Sequence, residues 1–219
     1  MTLVGNRFSF LILSECSVSF LREGEVTRKD AIRNAATVFF AEKGFKDTSM
    51  SELSKATGVA EGTIFYHFKN KADLFNSVLA ALKEEILGEF DRHFQENEYD
   101  TGLEMMEGAI ACYMGLAASM EDRFLIIHRH DAYELAKENT ACREHLEAIY
   151  NCFIDIFERA IRAGQKDGSV GEVSAKNAAL IVLAMADGLV RLNTYVLYHG
   201  SALYGELMAM VRRMLKSAN

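Results

Sequence analysis

Apolar residues recur at three- and four-residue intervals along most of the chain, the spacing that places them on one face of an α-helix. This pattern predicts a first helix from about Thr27 to Lys43, with a stop at Gly44. Two short helices are predicted next, at about 50–56 and 61–68, joined by the turn Thr57-Gly58-Val59. The first third of the chain therefore consists of short helices separated by tight turns.

Longer helices are predicted in the rest of the chain. A connecting helix starts after Asn70, and a broad apolar stripe covers 139–163 before a predicted loop at 164–171. A helix predicted at about 175–197 is apolar on nearly every face, which in a globular protein indicates burial on two sides. The last helix is predicted at about 202–216.

Capping pairs mark the predicted helix starts. In each pair, a Ser, Thr or Asn is followed three residues later by an acid that reaches back to free backbone amides. The five pairs are Thr27 with Asp30, Ser49 with Glu52, Asn70 with Asp73, Thr101 with Glu104, and Ser119 with Asp122. The chain contains no proline, and its Ala, Leu, Ile, Met and Glu content favours helices. We therefore predict an all-α fold.

Charge is distributed unevenly along the chain. The net charge is −7, yet residues 27–79 carry 8 Lys or Arg against 6 Asp or Glu, whereas residues 80–219 carry 14 against 22. A mildly positive N-terminal part can approach phosphates, while the acidic remainder limits indiscriminate adhesion.

The cysteines show no metal-binding or disulfide spacing. No two of the four cysteines form a CxxC pair, so we expect reduced thiols in a cytoplasmic protein. They are Cys16, Cys112, Cys142 and Cys152. The sequence predicts no metal site and no cofactor. It also contains no Walker loop, dinucleotide glycine motif, HExxH or nucleophile elbow, and we therefore expect no enzyme activity.

Residues 1–26 differ in composition from the rest of the chain. An apolar run behind Arg7 superficially resembles a signal peptide, but it is too short and interrupted to span a membrane. Arg22-Glu23-Gly24 can be encoded by a purine-rich ribosome-binding sequence, and Val26 by a GTG start codon. We expect the native protein to begin at Val26, so that residues 1–25 are not natively translated. The alternative is a genuine N-terminal arm.

The segment from Gly44 to Lys71 has the pattern of a helix-turn-helix, in which the first helix crosses the DNA backbone and the second enters the major groove. Its predicted apolar contacts are Met50, Leu53, Ala56, Val59 and Ile64. Ala56 is expected where the two helices cross closely, and Gly58 where the turn needs a positive φ.

These residues resemble the TetR family of transcription regulators over about a quarter of the chain, from Thr27 to Leu79. The resemblance lies in Gly44-Phe45, Thr48, the Ser49 to Glu52 start, Gly58-Val59, Gly62-Thr63, Phe65-Tyr66-His67-Phe68, and Lys69 with Lys71 before Leu74-Phe75. Each element is weak alone, but their order without a gap makes the match specific. It implies an N-terminal three-helix DNA-binding domain at 27–80, with the motif at about 49–68, and a helical ligand-binding and dimerisation domain at 81–219.

The resemblance also implies roles for individual residues. Thr48 and Ser49 would donate to a phosphate, and Ala60, Glu61, Gly62 and Thr63 would face base edges. Tyr66, His67 and Lys71 would contact phosphates, with added charge from Arg28 and Lys29. Phe65 departs from the tyrosine that many relatives have, so it can offer packing or a methyl contact only. The alternative for these side chains is the core or surface of a generic helical bundle.

The C-terminal part would hold a small-molecule ligand and pair two copies through the helices at about 175–197 and 202–216. Candidate pocket residues are His128, Tyr133, Asp187, Arg191 and Tyr195. Asp187 with Arg191 can instead be a helical ion pair, and 128–131 a solvated face.

The function implied is that of a repressor released from a palindromic operator by a small-molecule ligand. An activator of the same family, or a helical interaction module without operator binding, are the alternatives.

Overall fold

A computed structural model describes residues 27–216, apart from the side chain of Ser201. Every regular element in this range is helical, as predicted. The helices are α1 (Arg28–Glu42), α2 (Gly44–Asp47), α3 (Met50–Thr57), α4 (Glu61–His67), α5 (Lys71–Glu96), α6 (Gly102–Ser119), α7 (Glu121–His128), α8 (His130–Glu138), α9 (Thr140–Asp167), α10 (Ala175–Thr194) and α11 (Tyr204–Leu215), with a 3-10 turn at Gly200–Leu203 before α11. The expectations for residues 1–26 lie outside the described range.

Four of the five predicted capping pairs are present. In each of the four, the backbone amide of the acid donates to the side-chain oxygen of the capping residue three positions earlier. The acids are Asp30, Glu52, Asp73 and Glu104. The fifth prediction, Ser119 with Asp122, is wrong. Ser119 is the last residue of α6 and its hydroxyl donates to the Leu116 carbonyl, while Met120 precedes α7 without a side-chain cap.

The predicted loop at 164–171 is also partly wrong, because α9 continues through Gly164 to Asp167. Gly164 lies where α9 meets the start of α6, and a Cβ on Gly102 would overlap the backbone of Gly164. The absence of a side chain on Gly102 therefore permits the start of α6 to lie close against the backbone of α9. The loop itself is shorter than predicted and begins after Asp167.

The described residues form two compact units. The first contains 27–86 and 120–150, and the second contains 87–119 and 151–216. The predicted division at residue 80 does not follow these units, because α7 and α8 pack with the N-terminal helices. In the first unit α1 packs against both α3 and α7, and α2 packs against α8. The fully buried side chains of Ile32 and Phe40 supply much of the core contribution of α1.

The second unit is built around α6, α10 and α11. Tyr113 of α6 is fully buried, with its ring edge-on to Phe153 at 4.9 Å and to Phe157 at 6.3 Å. At the rim of this unit, the Arg212 guanidinium of α11 binds both carboxylate oxygens of Glu107 on α6. The hydrogen bonds of this ion pair raise the pKa of Arg212.

Only one face of α10 is buried within the unit. Val182, Leu183 and Ala186 lie in the core, whereas Leu180 and Ile181 are each 52% exposed. The helix was predicted to be buried on two sides, and the single chain buries it on one side. The opposite face of α10, which includes Leu180 and Ile181, is apolar and exposed in the single chain.

No helix within residues 27–216 is long and apolar enough to cross a membrane. The three cysteines in this range, Cys112, Cys142 and Cys152, are buried. Burial raises the pKa of Cys142 to about 11.

Candidate nucleic-acid interface

The segment α3, turn and α4 has the geometry that the sequence predicts for a helix-turn-helix. Gly58 ends α3 with a φ of 66°, confirming the left-handed conformation expected there. Leu53 of α3 and Ile64 of α4 are both fully buried and hold the helices together. Ala56, by contrast, is exposed, so the predicted close crossing at this position is wrong. The crossing depends instead on Leu53, one turn earlier in the helix.

A complete capping box begins α3. The Ser49 hydroxyl accepts from the amide of Glu52 at 3.1 Å, and the Glu52 carboxylate accepts from the amide of Ser49 at 3.2 Å. Lys43 also donates to Glu52 at 2.7 Å. Hydrogen bonds from Lys43 and Ser49 hold the pKa of Glu52 below its ordinary value. The same hydrogen bonds therefore favour the ionised carboxylate in the first turn of α3, where the helix dipole also favours negative charge.

Replacing Ser49 with alanine is expected to destabilise the first unit by about 1 kcal/mol, because the amide of Glu52 loses its side-chain acceptor. Urea denaturation followed by circular dichroism measures this change. Ser51→Ala is the matched control, since Ser51 is an exposed serine inside the same helix. Equal effects of the two substitutions would contradict a capping role for Ser49.

One face of α4 points to solvent. Ala60, Glu61 and Gly62 at its start are exposed, and Tyr66 is 85% exposed. Phe65 is exposed by 47%, whereas Thr63 and His67 are half-buried. An isolated helical bundle gains nothing from leaving two aromatic rings in water. This exposure favours a face that contacts another molecule.

The residues that turn α4 outward are Ile64 and Phe68, which are buried on its inner side. Lys29 of α1 lies over the Phe68 ring, with its ammonium 5.7 Å from the ring centroid. Arg28, one residue earlier, is exposed at the start of α1. Of the two basic residues predicted to add charge at α1, Arg28 is accessible and Lys29 packs beside the end of α4.

Lys71 is more constrained than a phosphate contact requires. Its ammonium donates to the carbonyls of Thr48 at 2.8 Å and Lys46 at 3.0 Å, and lies 4.6 Å from the centroid of the Phe45 ring. Partial burial lowers the pKa of Lys71. Lys71 therefore ties the start of α5 to the end of α2. Its predicted phosphate contact stays a prediction.

The Thr48 side chain does not face outward. It is 1% exposed, and its hydroxyl donates to the carbonyl of Gly44 at 2.7 Å. Since this donor already has an internal acceptor, the geometry does not support the predicted phosphate bond from the Thr48 side chain. Ser49, its neighbour, is exposed.

Two of the five candidate ligand residues lie in the first unit. His128, on α7, is buried with its ring 6.2 Å from that of Phe124. Tyr133, on α8, shares a hydrogen bond of 2.7 Å with the hydroxyl of Tyr150 on α9. Tyr150 was not predicted as a site residue, because no local sequence pattern reveals a partner 17 residues away.

The other three candidates lie in the second unit. Asp187 of α10 accepts a hydrogen bond of 2.7 Å from the hydroxyl of Tyr113, a residue that was not predicted as part of a site. Arg191 and Tyr195 are exposed at the end of α10. An open cleft of about 580 Å³ in this unit contains none of the five candidates. It is lined by Thr101, Leu103, Glu104, Glu107, Gly168, Ser169, Arg212 and Lys216.

The interpretation of 128–131 as a solvated face holds for His130, whose side chain is 85% exposed, but is wrong for the other three residues. His128 is buried, and the guanidinium of Arg129 donates to backbone carbonyls at the end of α1. Asp131 accepts from the amide of Phe45. Among the described residues, no group of three or more His, Cys, Asp or Glu side chains is placed to hold a metal ion.

The chain is similar to known regulatory proteins in sequence. A family model described as bacterial regulatory proteins of the tetR family matches residues 32–78. The HTH-type transcriptional repressor BepR of Brucella suis biovar 1 is 30% identical over 170 residues, which cover 74% of this chain and 78% of BepR.

Solved structures show the same fold. The regulator FadR from Bacillus subtilis, in complex with stearoyl-CoA, matches with a TM-score of 0.68 at 22% identity, covering 84% of this chain and 98% of that chain. A transcriptional regulator from Saccharomonospora viridis, in complex with choline, matches with a TM-score of 0.74 at 19% identity, covering 87% and 98%.

Two short helices that cross at a left-handed glycine turn, with the second presenting an exposed face, define a helix-turn-helix transcription regulator. Its role is regulation through DNA and not catalysis. The chain belongs to the TetR family of bacterial regulatory proteins.

Proposed function

We propose that this protein is a homodimeric repressor that binds a palindromic operator through α3 and α4 and is released from it by a small-molecule ligand. The observation that carries this proposal is the outward face of α4, where Tyr66 is 85% exposed beside Phe65. An α-helix of this size fits the major groove of B-DNA. The name of BepR, a transcriptional repressor, favours repression.

The individual DNA contacts follow from the exposure of each side chain. Ala60 and Gly62 can approach base edges closely because they carry little or no side chain. Glu61 repels phosphate and would accept from the amino group of cytosine. Tyr66 and His67 would donate to phosphates that flank the read bases, and Arg28 and Ser49 to phosphates beside the start of each helix.

Dimerisation would use the exposed apolar face of the last two helices. Leu180 and Ile181 of α10 and Met210 of α11 are each more than half exposed, although all three lie on helices whose other faces form the core. A two-fold axis would bury this face against its own copy. It would also place two α4 helices about one DNA turn apart, so that they read an inverted repeat.

A small-molecule ligand would bind in the helices outside the DNA-binding motif. Two hydrogen-bonded pairs, Tyr113 with Asp187 and Tyr133 with Tyr150, each place polar atoms beside apolar side chains. The solved regulators with stearoyl-CoA and choline show that this fold accommodates ligands of very different size and charge. A ligand that binds better to the conformation with low operator affinity would release the DNA.

Selection of bound duplexes from a random-sequence pool tests the proposal. The purified protein is expected to enrich an inverted repeat, and the logarithm of its affinity should fall linearly with the logarithm of salt concentration, by about 0.9 for each phosphate contact. A protein that enriches no sequence at low salt would be a helical interaction module. Enrichment of a single half-site would exclude the symmetric pairing.

A further inference from the structure

The corner between α1 and α2 is held by a residue far away in the sequence. Arg129, at the junction of α7 and α8, donates to the carbonyl of Ala41 at 3.0 Å and to that of Lys43 at 3.2 Å. These carbonyls lie at the C-terminal end of α1, where a helix leaves its last carbonyls without amide partners of its own. The guanidinium therefore satisfies exposed acceptors at the negative end of the helix dipole.

Asp131 holds the other side of the same corner. Its carboxylate accepts from the amide of Phe45, in the first turn of α2, and from the guanidinium of Arg129 at 3.3 Å. Arg129 and Asp131 together thus bind the last carbonyls of α1 and a first amide of α2. We call these two side chains the corner clamp.

The clamp closes over a position where only glycine fits. Gly44 has a φ of +88°, and a Cβ placed on it would lie 2.7 Å from Nη2 and 2.9 Å from Nε of Arg129. Gly58, the other positive-φ glycine of the motif region, has open space around the same position. The absence of a side chain at Gly44 therefore serves the clamp as well as the backbone conformation.

The corner in turn fixes the start of the helix-turn-helix. The Phe45 ring lies under the Lys71 ammonium, which donates to the carbonyl of Thr48. The Thr48 hydroxyl donates back to the carbonyl of Gly44. Ser49 follows directly and begins α3 with its capping box. A continuous set of contacts thus runs from the clamp to the first residue of the motif.

We infer that Arg129 and Asp131 are positioning residues for operator binding, which set the orientation of α3 and α4 through the corner at Gly44 and Phe45. This inference rests on the proposed operator binding. Neither clamp residue lies in the region matched by the family model, which ends at residue 78. They contact the corner at Lys43 and Phe45 directly, and the corner transmits their effect to the motif through Lys71 and Thr48.

Substitutions at Arg129 test the inference. Arg129→Gln is expected to weaken binding to the selected operator about tenfold, because charged hydrogen bonds at the corner are lost. Arg129→Lys is expected to behave like Arg129→Gln, since a single ammonium cannot reproduce the fork that reaches two carbonyls. The matched control is Arg143→Gln, which removes an arginine that donates to the carbonyl of Ala136 at the end of α8. Fluorescence anisotropy with labelled duplex measures each affinity.

A second measurement separates positioning from simple loss of stability. In Asp131→Ala the Phe45 amide loses its acceptor, so hydrogen exchange in peptides covering 41–50 is expected to accelerate while peptides covering the α9 core keep their rates. This readout needs no DNA. If the wild-type protein selects no operator but the exchange result holds, then the proposed function fails and the clamp itself stands.

A thermodynamic cycle tests the contact with Gly44, with Gly44→Ala as one change and the combined clamp substitutions as the other. Gly44→Ala is expected to weaken operator binding strongly in the wild-type background and much less when Arg129→Gln and Asp131→Ala remove the clamp. Gly58→Ala provides the control, and its effect is expected to be the same in both backgrounds. Equal operator affinity of Arg129→Gln, Arg143→Gln and wild type, or additive effects at Gly44, would overturn the inference.

Discussion

Replacing Leu180 with glutamate is expected to convert the proposed dimer into monomers and to raise its dissociation constant at least about a hundredfold. Leu180 is 52% exposed in the single chain and lies next to Ile181, which is equally exposed. A charge buried there without a partner costs several kcal/mol, and two-fold symmetry introduces it twice. Sedimentation equilibrium measures the change, and tight operator binding should be lost with the dimer.

Ala141→Glu is the matched control for this prediction. It adds the same charge at an exposed position of α9, outside the last two helices. This variant should remain dimeric and bind the operator with unchanged affinity. A Leu180→Glu protein that remains a dimer would show that the subunits associate through another surface.

Replacing Tyr66 with alanine is expected to weaken operator binding about ten- to hundredfold with almost no change in thermal stability. A contact to phosphate or base contributes about 1–3 kcal/mol to the affinity, which corresponds to that range. The side chain is 85% exposed, so its removal leaves no cavity in the fold. Anisotropy titration and thermal denaturation of the same preparation test the two halves of this expectation.

Ile64→Ala provides the contrast, two residues earlier on the same helix. Ile64 is fully buried, and its truncation is expected to cost about 2–5 kcal/mol of stability. Both variants would bind DNA weakly, but only Ile64→Ala would melt at a lower temperature. A comparable loss of stability in Tyr66→Ala would mean that Tyr66 packs in the core instead of contacting DNA.

The features that were predictable from the sequence depend on neighbouring residues. The caps at Thr27 and Ser49 join atoms three residues apart, and the left-handed turn at Gly58 follows from the missing side chain. The apolar spacing located α3 and α4 in the same way. Each of these signals is complete within a few residues, so one sequence is enough to recognise it.

The features that were missed depend on distant residues. Asp131 contacts Phe45 across 86 positions, and Tyr113 contacts Asp187 across 74. No periodicity distinguishes Arg129 from a solvated arginine, because its partners are backbone carbonyls of another helix. The short helix α2 was missed for a related reason. It has only four residues, so its apolar positions cannot repeat at helical spacing. Such contacts require the tertiary structure.

The composition of the first unit has a practical consequence for protein engineering. Residues 120–150 complete the packing of α1 and α2, although they are separated from them in the gene by a segment of the other unit. A fragment cut near residue 80 would lose α7, which covers α1, and would expose the apolar face of α1 to water. A hybrid regulator with a new operator preference should therefore take both segments of the first unit, 27–86 and 120–150, from the same parent protein.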